Sequence, residues 1–145
     1  MSVEDQPLNS LSTTQSPAQL VNEAVAGDLY ARVRTSDFSF TDGEIRGQLN
    51  LQSDTTANGI RTVVLAGPLT SAQVTNNDSD SDATGQATVT ITVDGSEVNY
   101  SADVSVNGIS TSELQSGAIF GASAITIHNA DAGVSGPLIL SLIHI

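Results

Sequence analysis

The 145-residue chain contains no cysteine and no tryptophan, and aromatic residues make up only 3% of it. Without cysteine, a disulfide framework and a thiolate metal site are both excluded. Lysine is absent too: the four basic residues are all arginine, against 16 acidic residues, which gives a formal net charge of −12. A surface this acidic repels phosphate backbones, so we expect no nucleic-acid partner. The acidic, lysine-free composition favours a salty or extracellular setting.

Long apolar runs are also missing, so no membrane insertion is predicted. The first ten residues show no basic stretch followed by an apolar one, so no signal peptide is predicted either. Hydrophobic residues make up 39% of the chain, enough for one core built from Val, Ile, Leu and Ala.

The clearest local pattern lies in residues 86–106, where two runs of strict alternation flank Asp94-Gly95. Alternation with β-branched residues around an Asp-Gly pair predicts a β-hairpin. The apolar side chains that share one face are Ala87, Val89, Ile91, Val93, Val98, Tyr100, Ala102, Val104 and Val106. Backbone ordering costs about 1–2 kcal/mol per residue, so the hairpin needs a second layer on this face.

The rest of the chain predicts further short strands at 28–35, 44–51, 60–65 and 124–128, and one from residue 138. In the second of these, Ile45, Leu49 and Leu51 are expected to point inward, and Arg46 and Gln48 outward. Ser16-Pro17 predicts the start of a short helix that ends at Gly27. The predicted fold is all-β: an immunoglobulin-like or superoxide-dismutase-like antiparallel β-sandwich with one short N-terminal helix.

Two stretches carry a family resemblance. Residues 65–140 contain LAGPLTSAQV, ATGQATVTITVDGSEVNYSADV and ITIHNADAGVSGPLIL, and residues 26–50 read AGDLYARVRTSDFSFTDGEIRGQLN. The first set resembles the opening part of a CHRD domain, the module first noted in chordin and frequent in bacterial secreted proteins. The second, with GEIRGQ as its most specific piece, resembles the closing part of the same domain.

The order of these segments is inverted, which sets the predicted domain organisation. We expect a disordered tail at residues 1–15, the C-terminal part of one CHRD-like repeat at 16–52, and the N-terminal part of the next repeat at 60–145. Residues 52–59 are polar and are interpreted as a linker or a wide turn. The two parts are expected to pack together as one permuted sandwich. The alternative is a string of two half-domains, each needing a neighbouring repeat.

The resemblance also places the family's HxH pair on Thr126 and His128, and its other histidine on Arg34. Residues 126 and 128 share one face of a predicted strand, which is how two imidazoles could hold a metal. The simpler interpretation of His128 is a hydrogen-bonding strand residue, because two of the three histidines are replaced.

Three alternating carboxylates, Asp78, Asp80 and Asp82, form a second candidate site. Such a loop could surround Ca²⁺ with hard oxygen ligands, although the EF-hand template fails at Ala83 and Val89. The competing interpretation is a solvated acidic loop. A third candidate is a small anion-binding patch made by Arg32, Arg34 and Arg46, against the simpler interpretation of surface arginines paired with neighbours such as Glu44.

No catalytic set is visible, so we expect no enzyme activity and no cofactor other than Ca²⁺ as a minority hypothesis. The predicted function is a non-enzymatic structural or binding module, a fragment of a larger secreted or cell-surface protein. Its expected partners are neighbouring repeats of the same protein, or an extracellular protein or polysaccharide. The alternatives are a calcium- or other metal-binding module and, more weakly, a superoxide-dismutase-like enzyme, which the missing histidines argue against.

Overall fold

The computed structural model describes residues 2–7, 17–35, 43–74, 81–110, 125–129 and 138–141. Within these residues the chain forms one α-helix, one 3-10 helix (Ser71–Gln73) and nine strands. In chain order the elements are β1 (Ser2–Pro7), α1 (Pro17–Ala26), β2 (Leu29–Val33), β3 (Ile45–Gln48), β4 (Asn50–Ala57), β5 (Ile60–Thr70), β6 (Thr84–Asp94), β7 (Glu97–Asn107), β8 (Ile125–Asn129) and β9 (Leu138–Ser141). None of the described helices is both long and apolar enough to cross a membrane.

All strand pairs among the described residues are antiparallel, and the prediction of an all-β fold with one short helix is confirmed. The strands form a single curled sheet in the order β1-β7-β6-β5-β3-β2-β8-β9, and β4 pairs with β5. The curl brings buried apolar side chains from both halves of the sheet into one core. Helix α1 adds Leu20, Val21 and Ala24 to the apolar core that the sheet encloses.

The hairpin predicted at residues 86–106 is present as β6 and β7, paired along their full lengths. Ile91 lies opposite Tyr100, Val89 opposite Ala102 and Ala87 opposite Val104, and all six side chains are buried. The two-residue loop lies one position later than Asp94-Gly95, because Asp94 pairs with Glu97. Gly95 takes the positive φ of 62° that this tight turn requires, a conformation that costs glycine little.

Strands β3 and β5 cross so closely that neither backbone leaves room for a side chain. A Cβ added to Gly47 would clash with the Pro68 carbonyl oxygen, and one added to Gly67 would clash with that of Gln48. The predicted strand 60–65 ends before Gly67 and Pro68, whereas both residues lie inside β5. The close contact with β3 is consistent with a glycine at this point of the strand. The crossing joins the two halves of the sheet.

The prediction of a linker at residues 52–59 is wrong. Most of this segment is β4, which pairs with β5 through a two-residue Asn58-Gly59 turn. Both turn residues have positive φ, 53° and 80°, as expected of the Asn-Gly turn that best matches strand twist. The inward position predicted for Leu51 is also wrong, since its side chain is 40% exposed. The register shifts between Leu51 and Ser53, which carries β4 away from the core.

Ser2–Pro7 form β1, where the sequence analysis predicts part of a disordered tail. These residues pair with β7, whose outer edge offers unpaired backbone groups to an extended segment. The predicted helix is present as α1, and Gly27, with φ 86°, follows it. The remainder of the predicted tail, residues 8–15, lies outside the described residues.

Candidate functional site

The polar face of β2, β3 and β8 is buried, although alternation alone assigns it to solvent. In β2 both sets of side chains are buried: Leu29, Ala31 and Val33 on the core face, and Tyr30 and Arg32 on the other. Arg46 on β3 is predicted to point outward into solvent. That prediction is wrong about solvent, since this arginine is only 1% exposed. Gln48, also predicted outward, is half-buried.

A three-membered stack organises this face. The Tyr30 ring lies 5.1 Å from the His128 ring, centroid to centroid, and the two planes differ by 10°. The Arg46 guanidinium carbon lies 3.5 Å from the centroid of the Tyr30 ring. Because β3 and β8 flank β2, the Tyr30 ring contacts the Arg46 guanidinium of β3 on one side and the His128 imidazole of β8 on the other. The stack therefore ties three adjacent strands together through one aromatic ring.

His128 and Thr126, the positions that correspond to the family's HxH pair, are brought together on β8. Thr126 Oγ1 and His128 Nε2 share a hydrogen bond of 2.8 Å, and both side chains are buried. Arg32 lies opposite Thr126 in the register. The hydroxyl thus engages one of the two ring nitrogens through which a histidine could bind a metal.

Two cations lie side by side on this face, because Arg32 of β2 pairs directly with Arg46 of β3. Like charges at opposed positions are destabilising, and burial adds a desolvation penalty. The π face of Tyr30 offsets part of this cost for Arg46. The anion-patch hypothesis placed these arginines on an exposed surface; Arg32 and Arg46 are instead 8% and 1% exposed.

A buried carboxylate lies directly before β3, the strand that carries Arg46. Glu44 is 6% exposed, and its Oε1 accepts a hydrogen bond of 2.7 Å from the Thr35 hydroxyl. Its Oε2 accepts one of 2.6 Å from the Ser81 hydroxyl, which holds the segment that leads into β6 against the start of β3. Hydrogen bonds to both oxygens are the means by which a carboxylate tolerates burial.

Of the proposed calcium ligands, Asp82 is exposed, whereas Asp78 and Asp80 lie outside the described residues. In the part of the chain that the structure describes, no three histidine, cysteine, aspartate or glutamate side chains are grouped to hold a metal ion. The calcium hypothesis therefore stays a prediction.

Sequence reasoning did not identify Tyr30 and Arg46 as partners. One signal was present: alternation puts Tyr30 on the same face as Arg32 and Arg34, and a ring is conspicuous in a chain with so few aromatics. A tyrosine on a supposedly solvated face is an indication that the face is covered.

These features define an all-β module whose polar face is packed and engaged in internal contacts. A family model described as CHRD domain matches residues 65–144, more than half of the chain, so the chain belongs to the CHRD domain family. The match begins within β5 and includes β6 to β9. CHRD domains are non-enzymatic modules of larger proteins. No curated protein and no solved structure matches the chain.

Proposed function

We propose that this chain is a non-enzymatic structural or binding module of a larger secreted or cell-surface protein. The observation that supports this best is the buried stack of His128, Tyr30 and Arg46, whose members are 4%, 0% and 1% exposed. A catalytic or ligand-binding group must reach its substrate. The polar groups of this face contact one another across three strands, which is the behaviour of a structural layer.

The partners in this proposal are neighbouring repeats of the same protein, or an extracellular protein or polysaccharide. The formal net charge of −12 and the absence of lysine support partners other than nucleic acid. The proposed location is outside the cell or on its surface, in keeping with the resemblance of the chain to a module of secreted proteins.

A double-mutant cycle on His128 and Thr126 tests the structural role. His128→Phe keeps an aromatic ring against Tyr30 but leaves the Thr126 hydroxyl without this hydrogen bond, which should cost about 1–3 kcal/mol of unfolding free energy. Adding Thr126→Val replaces the second partner with a group of similar shape and should recover part of that loss. Urea unfolding of the wild type, both single variants and the double variant gives the coupling energy.

The competing metal-binding role predicts a different result from the same variants. After loading with copper or zinc and passage through a desalting column, wild-type protein should retain no stoichiometric metal. Retention that His128→Phe abolishes would overturn the proposed structural role. The location is tested by labelling an epitope-tagged full reading frame on intact cells, with a cytosolic protein as control; labelling that appears only after permeabilisation contradicts it.

A further inference from the structure

Strand β4 differs from every other strand whose burial the structure describes, because all eight of its residues are exposed. Side chains on both of its faces meet solvent, while its neighbour β5 buries Val63 and Leu65. Ordering a strand costs backbone entropy, and β4 recovers little of that cost by burying side chains. Its only strand partner among the described residues is β5, so no described strand pairs with its second edge.

The hairpin of β4 and β5 carries no formal net charge. In a chain with 16 acidic residues, residues 50–70 contain one acidic residue, Asp54, and one basic residue, Arg61. These two pair with each other: Arg61 Nε donates to Asp54 Oδ1 at 2.8 Å, and Nη2 donates to Oδ2 at 2.7 Å. The hairpin is therefore neutral on a molecule of formal net charge −12, so a second acidic chain meets less repulsion here than at the acidic stretches of the surface.

The register shows which backbone groups face the open edge. A two-residue hairpin loop is closed by a hydrogen-bonded pair, here Ala57 and Ile60. Hydrogen-bonded and non-hydrogen-bonded pairs alternate along an antiparallel ladder, so Thr55 bonds to β5 while Thr56 and Asp54 direct their backbone groups outward. Closer to the base, the register shift at Gln52 interrupts this pattern, so the regular open edge spans residues 53–57.

We infer that this edge pairs with the same edge of a second copy of the chain, in an antiparallel, two-fold arrangement. A neutral, polar, self-complementary edge suits such an isologous contact. Centring the two-fold axis on Thr55 pairs Asp54 with Thr56 of the second copy and Thr56 with its Asp54. Centring it on Asp54 would oppose two aspartates directly, which is destabilising. The inference deepens the proposed role as a binding module and rests on it, since it identifies a like module as the partner.

Sedimentation equilibrium on the intact chain tests the inference, over a concentration series that reaches about 1 mM, the effective concentration of linked modules. Wild-type protein should dimerise weakly, and added NaCl should strengthen the dimer because it screens the repulsion between two acidic chains. Thr56→Pro removes an outward N–H that β5 does not use, so it should leave a folded monomer. Thr56→Val retains the N–H and should dimerise like wild type. A wild-type chain that stays monomeric at the highest protein and salt concentrations overturns the inference.

Disulfide trapping provides an independent test that does not depend on the folding of the proline variant. The chain has no cysteine, so Thr55→Cys introduces a single thiol. In the proposed register the two Thr55 Cα atoms lie about 4.5 Å apart, within disulfide range. Mild oxidation should give a covalent dimer. Ser53→Cys, equally exposed on the same face of β4, lies away from the axis and should give at least tenfold less. Equal cross-linking of the two variants would refute the register and the two-fold contact.

The failure of this inference is distinguishable from failure of the proposed function. A monomeric wild type that still shows coupling between Thr126 and His128, and that is labelled on intact cells, leaves the structural module in place and removes only self-association. Loss of that coupling together with metal retention removes the structural role itself, whatever the state of association.

Discussion

At the scale of single residues, Arg46 shows how a chain with few aromatic side chains uses one of them. Placing a guanidinium over a desolvated aromatic ring contributes about 2 kcal/mol, whereas burying the ion costs several kcal/mol. The contact with Tyr30 is therefore only part of what holds Arg46, which has a further interaction besides this one. Removing the ring alone should weaken the site without releasing the arginine.

Tyr100 carries a pH dependence that can be measured separately. Its side chain is 5% exposed on β7, and burial raises the pKa of its phenol above the ordinary value of 10.0. The folded chain thus holds this proton at a pH where the unfolded chain releases it. The associated stability is fully present below about pH 10 and is lost as pH rises through the raised pKa of the folded state.

Tyr100→Phe should accordingly unfold at nearly the wild-type temperature at neutral pH and lose less stability than wild type above about pH 10. Thermal unfolding followed by circular dichroism at a series of alkaline pH values measures both slopes. Parallel slopes for the two proteins would show that Tyr100 ionises equally well in both states.

At the scale of the elements, the crossing of β3 and β5 depends on Gly47. A Cβ at this position meets a backbone carbonyl, which cannot rotate away as a side chain would. We expect Gly47→Ala to separate the crossing strands and to lower the unfolding free energy by ~3 kcal/mol or more. Chemical denaturation of the purified variant gives the value.

Gly59→Ala is the matched control, since it adds the same methyl group at a position with no neighbour within 4 Å. Its cost comes only from the positive φ of 80° and should be about 1–2 kcal/mol. If the two alanine variants were equally stable, the close contact at the crossing would carry no energetic weight.

The elements also show why some of the fold was predictable and some was not. β6 and β7 bury one face and leave the other more exposed, so the alternation in their sequence predicts both the strands and the core residues. β4 buries neither face, and its sequence therefore lacks the periodicity that distinguishes a strand from a loop. Its one local signal is Asn58-Gly59, a dipeptide typical of tight hairpin turns.

The candidate site was predictable only in part, for the converse reason. Alternation predicts that Thr126 and His128 share one strand face, and the structure brings their side chains together. These side chains are buried because protein covers both faces of the strand, as in β2. Polar side chains at alternate positions give the same sequence pattern whether solvent or protein covers them. Contacts between β2, β3 and β8 join residues far apart in sequence, which local periodicity does not report.

At the scale of the whole molecule, the order of strands bears on the predicted joining of two family segments. β2 and β3, from the N-terminal segment, lie between β5 and β8 of the C-terminal one. Removing residues 1–52 would therefore open the sheet in its middle and expose Val63, Leu65 and Ile127, which are buried in the core. We expect the remaining chain to lose cooperative unfolding and to aggregate.

Deletion of residues 1–7 serves as the control, because it removes only β1 from the edge of β7. That shorter deletion should stay soluble and unfold cooperatively, as shown by calorimetry and size-exclusion chromatography. A soluble, cooperatively unfolding fragment of residues 53–145 would favour the alternative of two half-domains.

The side chain of Gln73 bridges β3 and β5 where few backbone pairs join these two strands. Its Oε1 accepts a hydrogen bond of 3.1 Å from the Gln48 backbone N–H, and its Nε2 donates one of 3.2 Å to the Pro68 carbonyl. A side-chain amide thus stands between β3 and β5, which share one register pair, whereas β5 and β6 pair along their whole length. We expect native-state opening to separate the sheet between β3 and β5, and the amide protons on the two sides to exchange with solvent as two separate groups.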